Sequence, residues 1–239
     1  MNSLYVAWQE PQTRTWLVVG ELTYHRDKHV YQFAYTKGAK KSPHFVPFAR
    51  MKDLHKPYFA TELFPVFANR LLSKSRPEYQ AYLQWLNVPS TEQDNLLLLL
   101  ARSGGKRATD SLEVFSSHER HAEGIEEFYF FSRELRHLPT ETLDRINHLP
   151  PGEPLLLVPE HQNEPVAYAI ALQTDESVKV GYCPPYLAKP LWRWVEHQIL
   201  LTVAKVNREA PLQLRLLCRW VFNLPEDFQP FLDEEFERL

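Results

Sequence analysis

The chain has 239 residues, of which 44% are hydrophobic and 24% charged, and a formal net charge of −3. That length and composition suit one large or two small folded domains and exclude a disordered or fibrous chain; the near-balanced charge also excludes a surface coated in cations. The longest apolar run, NLLLLLA at Asn95–Ala101, is too short to span a membrane, and the start MNSLYVAWQE lacks the basic and apolar regions of a secretory signal. The expected location is cytoplasmic.

The first segments, SLYVAW, WLVVGELTYH and HVYQFAY, place aromatic and β-branched residues near period two between short polar turns, which predicts an antiparallel meander. A proline-bearing loop, KGAKKSPHFVPF, follows. Helices are expected over YFATELFPVFANRLL and over PEYQAYLQWLNV, where Tyr79, Tyr82, Leu83 and Leu86 share one face. Ser90–Gln93 has the form of a capping box opening a third helix through Leu100, which Gly104 and Gly105 can close. SLEVF returns to strand. The polar stretch from Ser116 to Glu126 then marks a domain boundary, giving domains 1–120 and 121–239.

The second half is richer in strand signals: EEFYFFSREL, EPLLLVPEH, VAYAIALQT, KVGYC, ILLTVAKVN and LQLRLLCRWVF. Helical intervals are expected at Thr140–Ile146, at PYLAKPLWRWVEH and in the acidic C-terminus EDFQPFLDEEFERL, which supplies most of this half's negative charge. In PYLAKPLWRWVEH, Leu187, Leu191, Trp194 and Val195 line an apolar face, with Trp192 off it as a packing cap. The fold class is α+β, mostly β. An N-terminal meander with helices precedes a small, partly open barrel of the oligonucleotide-binding type.

Cys183 and Cys218 have no neighbouring thiol and read as buried hydrophobes, and His118 with His121 lacks a metal-site partner set. SGGKRATD at Ser103–Asp110 lacks the phosphate-loop spacing and follows a helix. The carboxylates Glu126, Glu127, Glu160 and Glu164 have no paired histidine or metal ligands, and no nucleophile motif is present. Neither a cofactor nor catalysis is expected. Basic clusters at Lys37–Lys41, Arg70–Arg76 and Arg102–Arg107 offer candidate phosphate contacts. The run Phe128, Tyr129, Phe130, Phe131 sends alternate rings to opposite faces of a strand, for burial or for stacking on unpaired bases at roughly 1–3 kcal/mol per base. Arg133, Arg136 and His137 come directly after these rings, where a single-strand groove needs cations.

FYFFSRELRHLP, LPPGEPLLLVPEHQNEPVAYAIAL and VGYCPPYLAKPL together resemble a HIRAN domain over about half the chain, with Glu160, Asn163, Ala169, Ile170, Gly181, Tyr182, Pro184, Leu187 and Ala188 fitting the family pattern. The resemblance implies an OB-like module that grips single-stranded DNA at a free 3′ end, and binding residues at Arg136, His137, Asn163 and Tyr182. Val166 stands where the family's loop carries an Asp, Tyr168 where it carries an Asn, and Leu138 where it carries a second aromatic. The first half resembles the N-terminal subdomain of HipA-like toxin kinases through SLYVAW, VVGELTYHRDKHVYQFAY and LLLLLARSGGKRATDSLEVF, without the ATP-binding and catalytic parts. That resemblance implies a docking or regulatory piece. The expected function is non-catalytic binding of single-stranded DNA or DNA ends, possible protein partners meeting the first domain; the alternative is a protein-interaction adaptor.

Overall fold

The computed structural model describes residues 3–116, 125–161, 168–192, 200–223, 231 and 233–239. The meander forms as its alternation predicts: β1 (Ser3–Gln9), β2 (Trp16–His25) and β3 (Val30–Tyr35) pair antiparallel in succession. With β4 (Tyr58–Ala60) and β5 (Leu112–Ser116) they make a five-stranded sheet of order β4-β3-β2-β1-β5. Its apolar face carries Leu4, Val6, Val19, Leu22 and Phe33, which pack with Phe67, Leu97 and Leu100. Tyr35 is buried among them, yet its hydroxyl is satisfied: it donates to Met51 O at 2.7 Å and accepts from Phe48 N at 2.7 Å. Burial pushes its pKa up to about 12.

Two helices depart from the sequence expectation. Tyr58–Ala60 is strand, paired with Tyr31–Phe33, and the helix behind it shrinks to α1 (Pro65–Ala68). Pro65 explains the late start: it forces Phe64 into extended backbone (ψ 138°), and its missing N–H is tolerated only in a first turn. Ser90–Glu92 is an uncapped 3-10 turn rather than a capping box. The cap of α3 (Leu96–Ser103) is Asn95, whose Oδ1 accepts from Leu98 N at 3.2 Å while its amide donates to Glu92 Oε2 at 2.9 Å. Asn95→Ala is therefore expected to cost about 1 kcal/mol in urea unfolding, and Ser90→Ala close to nothing. Gly104, at φ 71°, ends this helix as expected.

In the second half, β6 (Ile125–Phe131), β7 (Pro154–His161), β8 (Tyr168–Gln173), β9 (Lys179–Tyr182), β10 (Leu200–Val206) and β11 (Leu216–Asn223) form an antiparallel sheet of order β6-β11-β10-β7-β8-β9. Where a small barrel is expected, the described residues make an open sheet with β6 and β9 at its edges. Those edges meet at one isolated antiparallel bridge, Arg133↔Tyr182. Cross-strand partners share a face. One face buries Leu155, Ile170, Leu172, Leu201, Val203, Cys218 and Trp220, and α5 (Pro185–Trp192) covers it with Leu187 and Leu191. Trp192 packs edge-on against Tyr168, with centroids 5.5 Å apart. Trp194 and Val195 lie outside the described residues, as do His118, His121 and Glu164. The expected helix at Thr140 forms as α4 (Thr140–Asn147), and residues Leu212–Leu214 are a 3-10 turn before β11 rather than part of the strand.

By contact density the chain divides into one unit of Met1–Tyr79, Pro89–Glu119 and Gln229–Leu239, and another of Gln80–Val88 and Arg120–Phe228. The division expected at residue 120 differs from this in two segments. The first lies at the C-terminal end of α2 (Tyr79–Trp85), where Lys205 Nζ donates to Gln84 O at 2.6 Å and Asn207 Nδ2 to Trp85 O at 2.9 Å. The second is the C-terminus, expected as an acidic helix of the second domain. Instead Glu234–Phe236 is a 3-10 turn of the first unit. There Lys37 ion-pairs with Glu234 and Glu237, Arg238 with Glu21, and Leu239 N donates to Tyr35 O at 3.0 Å. Charge and exposed backbone on the first sheet, invisible in the tail's own sequence, decide where the tail goes. Among the described residues, no helix is long and apolar enough to cross a membrane.

Candidate nucleic-acid interface

The three basic clusters contribute less than their sequence promises. Arg70 is buried and holds Asp110 through both guanidinium nitrogens, with Val66 O and Gly105 O as further acceptors. Lys37 is engaged by the tail, Lys74 pairs with Asp94, and Lys106 lies 3.7 Å from Glu113. Structural pairing has thus consumed part of the charge in each of the three clusters.

The aromatic run is likewise mostly structural. Phe128, Phe130 and Phe131 are buried, so stacking on bases is closed to three of the four rings. Tyr129 is half-buried, and its hydroxyl donates to Glu127, which also pairs with Arg219. The two cysteines are free and buried, as expected, and burial pushes both thiols well above the range in which a thiolate forms.

What remains is a rim where the two sheet edges meet. Arg133 N donates to Tyr182 O at 2.9 Å and Tyr182 N to Arg133 O at 3.1 Å. Gly181 makes this approach possible. It sits at φ 121°, and a Cβ there would lie 2.1 Å from Ser132 Oγ and 2.6 Å from Arg133 O. Ser132 Oγ in turn donates to Val180 O at 2.8 Å, so the strand end is held from both sides. Beyond the bridge Glu134 takes a left-handed conformation, φ 62°, and throws the chain into the turn Leu135–His137. Leu135 is its buried anchor; its Cδ1 would touch a Cβ at Gly181 at 3.0 Å.

That turn delivers Arg136 and His137 to solvent, at 74% and 64% side-chain exposure. Arg136 Nε donates to His137 Nε2 at 2.9 Å, and Glu134 lies 3.3 Å from the His137 ring. The pair is thus loosely ordered by one carboxylate and is still open to an incoming anion. Of the residues singled out from the sequence, Arg133, Arg136, His137 and Tyr182 are brought to one rim, whereas Asn163 and Val166 lie outside the described residues.

Lys179 is the residue that sequence reading missed. Strand alternation would put positions 179 and 182 on opposite faces. The β8–β9 register slips, however: Leu172 pairs with Gly181 and Gln173 with Lys179, leaving Val180 as an extra residue. This bulge returns Lys179 and Tyr182 to one face. Lys179 Nζ donates to Tyr182 Oη at 3.0 Å and pairs with Glu160 Oε1 at 2.5 Å, and Tyr182 Oη donates to Glu160 Oε2 at 2.8 Å. The ammonium also stands 4.9 Å from the Tyr182 ring centroid. Its hydrogen bond holds the Glu160 carboxyl below its ordinary range, and the carboxylate holds Lys179 above its own. With its hydroxyl committed both ways, Tyr182 can offer a ligand only its ring. The signal for this was the Gly181 that permits the bulge.

Among the described residues no group of three or more His, Cys, Asp or Glu side chains could hold a metal ion. No curated protein matches the chain. Residues 125–225, the stretch that supplies all six strands of the second sheet and the rim between its edges, match the model of the HIRAN domain family, in general a nucleic-acid-binding module.

Proposed function

We propose that this protein is a non-catalytic nucleic-acid-binding protein that takes single-stranded DNA or DNA ends along the rim of its HIRAN domain. The observation that carries the reading is the meeting of Arg133 and Tyr182 beside the turn that exposes Arg136 and His137. Phosphates meet the guanidinium and imidazole, and a base lies against the Tyr182 ring, whose tilt is fixed by Glu160 and Lys179. The two sheet edges curl toward an OB-like barrel around this rim, and Asn163 is a further proposed contact. The first unit, with its HipA-like meander, serves as a docking piece in a cytoplasmic assembly.

Fluorescence anisotropy of a short labelled single strand, with a free or phosphorylated 3′ end and against duplex, tests the reading. Wild type should prefer the single strand, and the logarithm of its affinity should fall linearly with the logarithm of salt concentration. Arg136→Ala should weaken binding by about 1–3 kcal/mol and reduce the salt slope by about 1. Equal affinity of wild type and Arg136→Ala for every strand would remove the rim from the interface.

A further inference from the structure

We infer, on the reading that the second unit binds nucleic acid, that the hairpin joining β10 to β11 is a further contact for the backbone of a bound single strand, with Arg208 and Arg215 taking its phosphates. Several cations of this unit are neutralised: Lys179 pairs with Glu160, Arg219 with Glu127, and Arg145 with both Glu153 and Glu176. Arg208 and Arg215 are different. Neither forms an ion pair among the described residues, and Glu209, exposed beside Arg208 in the chain, pairs with neither. Both lean instead on one residue at the end of α4: Arg208 Nε donates to Asn147 O at 2.7 Å, and Arg215 Nη1 to Asn147 Oδ1 at 2.9 Å. Two like charges are thereby gathered at one place with no anion paired to either.

The C-terminal end of α4 favours a cation, and Arg208 meets that need with Nε alone. A guanidinium carries its N–H donors in a fork. The two terminal nitrogens of Arg208, an exposed residue, make no hydrogen bond to the described residues and so remain to bracket a phosphate bidentately. Arg215 is half-buried and more firmly built in: Nη2 donates to Ala210 O at 2.8 Å, and Nε is buried without a hydrogen-bond partner. It braces the hairpin and adds its charge to the same place. The hairpin lies beside the rim. Ser132 N donates to Leu216 O at 2.9 Å, so Arg133 and Arg215 are chain neighbours of the two residues that share this bond. The turn Leu212–Leu214 packs against the turn Leu135–His137 that exposes Arg136 and His137. Asn207 N donates to Arg215 O at 2.8 Å, which carries Arg208 past Arg215 toward the hairpin's tip. A strand with its phosphates at Arg136 and His137 therefore meets Arg215 and then Arg208 as it continues. Reaching them takes about four or more nucleotides, within the roughly 4–16 that single-strand grooves of this type cover.

Anisotropy on the full chain with labelled single strands of about 3 to about 12 nucleotides tests this. Wild type should gain affinity with length, its salt slope growing by about 1 for each phosphate contact added. Arg208→Gln, whose amide can keep the bond to Asn147 O, should melt as wild type and bind the shortest strand as wild type does. On the longest strand it should lose about tenfold in affinity, with the slope reduced by about 1. Arg208→Lys should recover part of that loss, because it restores the charge without the fork. Arg136→Ala, by contrast, should weaken binding at every length. An Arg208→Gln protein equal to wild type at all lengths, beside a weakened Arg136→Ala, would overturn the inference and leave the rim standing, whereas no binding of any strand by wild type would remove both. A loss in Arg208→Gln that is the same for the shortest and longest strands would also overturn it, since Arg208 would then act through the fold rather than on a distant phosphate. Inorganic phosphate at about 10 mM should release the long strand no more than chloride of equal ionic strength does; selective release would make the two arginines a site for free phosphate and overturn the inference as well.

Discussion

Replacing Gly181 with alanine is expected to damage the fold and binding together. An alanine Cβ would have to occupy a point 2.1 Å from Ser132 Oγ, 2.6 Å from Arg133 O and 3.0 Å from Leu135 Cδ1, on a backbone whose φ of 121° suits glycine alone. The Ser132 hydroxyl can rotate away only by abandoning Val180 O, and the Arg133 carbonyl can move only by breaking its bond from Tyr182 N. Backbone strain of about 1–3 kcal/mol adds to an overpacking cost of about 1–3 kcal/mol. The second unit should lose about 2–6 kcal/mol, read by chemical denaturation followed through its tryptophans. Separation of the two edges should also displace the Leu135–His137 turn, so single-strand affinity should fall further than in Arg136→Ala. Adding Ser132→Gly should recover only part of the loss, because the carbonyl contact and the φ remain. A Gly181→Ala protein with wild-type stability would mean that the edges are not seated on this glycine.

Deleting residues 233–239 should unfold the first unit rather than release the second. The tail seats Phe236, which is buried, 4.9 Å from the Tyr5 ring and 5.0 Å from Phe231; Phe231 and Tyr5 in turn meet Phe115 on β5. Burial in this cluster raises the Tyr5 hydroxyl to about 12, with Glu21 nearby adding to the shift. Loss of a buried phenylalanine alone costs about 3–5 kcal/mol. The exposed pairs Lys37–Glu237 and Arg238–Glu21 add little, but Lys37 N and the Thr36↔Arg238 bridge also lose backbone partners. Phe236→Ala should therefore lower the melting temperature of the first unit by upwards of about 10 °C in calorimetry. The proposed single-strand binding by the second unit should persist at temperatures where the first unit is still folded. A truncated protein that melts as wild type and binds nucleic acid more tightly would instead make the tail an inhibitory segment.

Both expectations rest on long-range contacts, and this is where sequence reading stopped. The strands of the meander, the six strands of the second half, the helices at Tyr79 and Thr140, and the buried thiols were legible because alternation, proline placement and apolar periodicity are local properties of the chain. The HIRAN pattern was legible through FYFFSRELRHLP and VGYCPPYLAKPL for a related reason: a glycine, an aromatic ring and a turn at fixed spacing are read without coordinates. Local rules failed where two local choices competed. Ser90–Gln93 has the form of a capping box, yet it is Asn95, its amide braced by Glu92, that caps the helix.

The sequence by itself determined which residues could be strand, turn or cap, and that Gly181 would permit a close approach. Only the tertiary structure decided which charges were spent and which remained. Arg70 and Lys37 were drawn into pairs by Asp110 and Glu237, residues far away along the chain, whereas Arg136 and His137 were left in solvent by a left-handed residue at Glu134. Lys179 joined Tyr182 through a one-residue slip in register. A period-two reading cannot anticipate that slip, because a bulge inverts every facing beyond it.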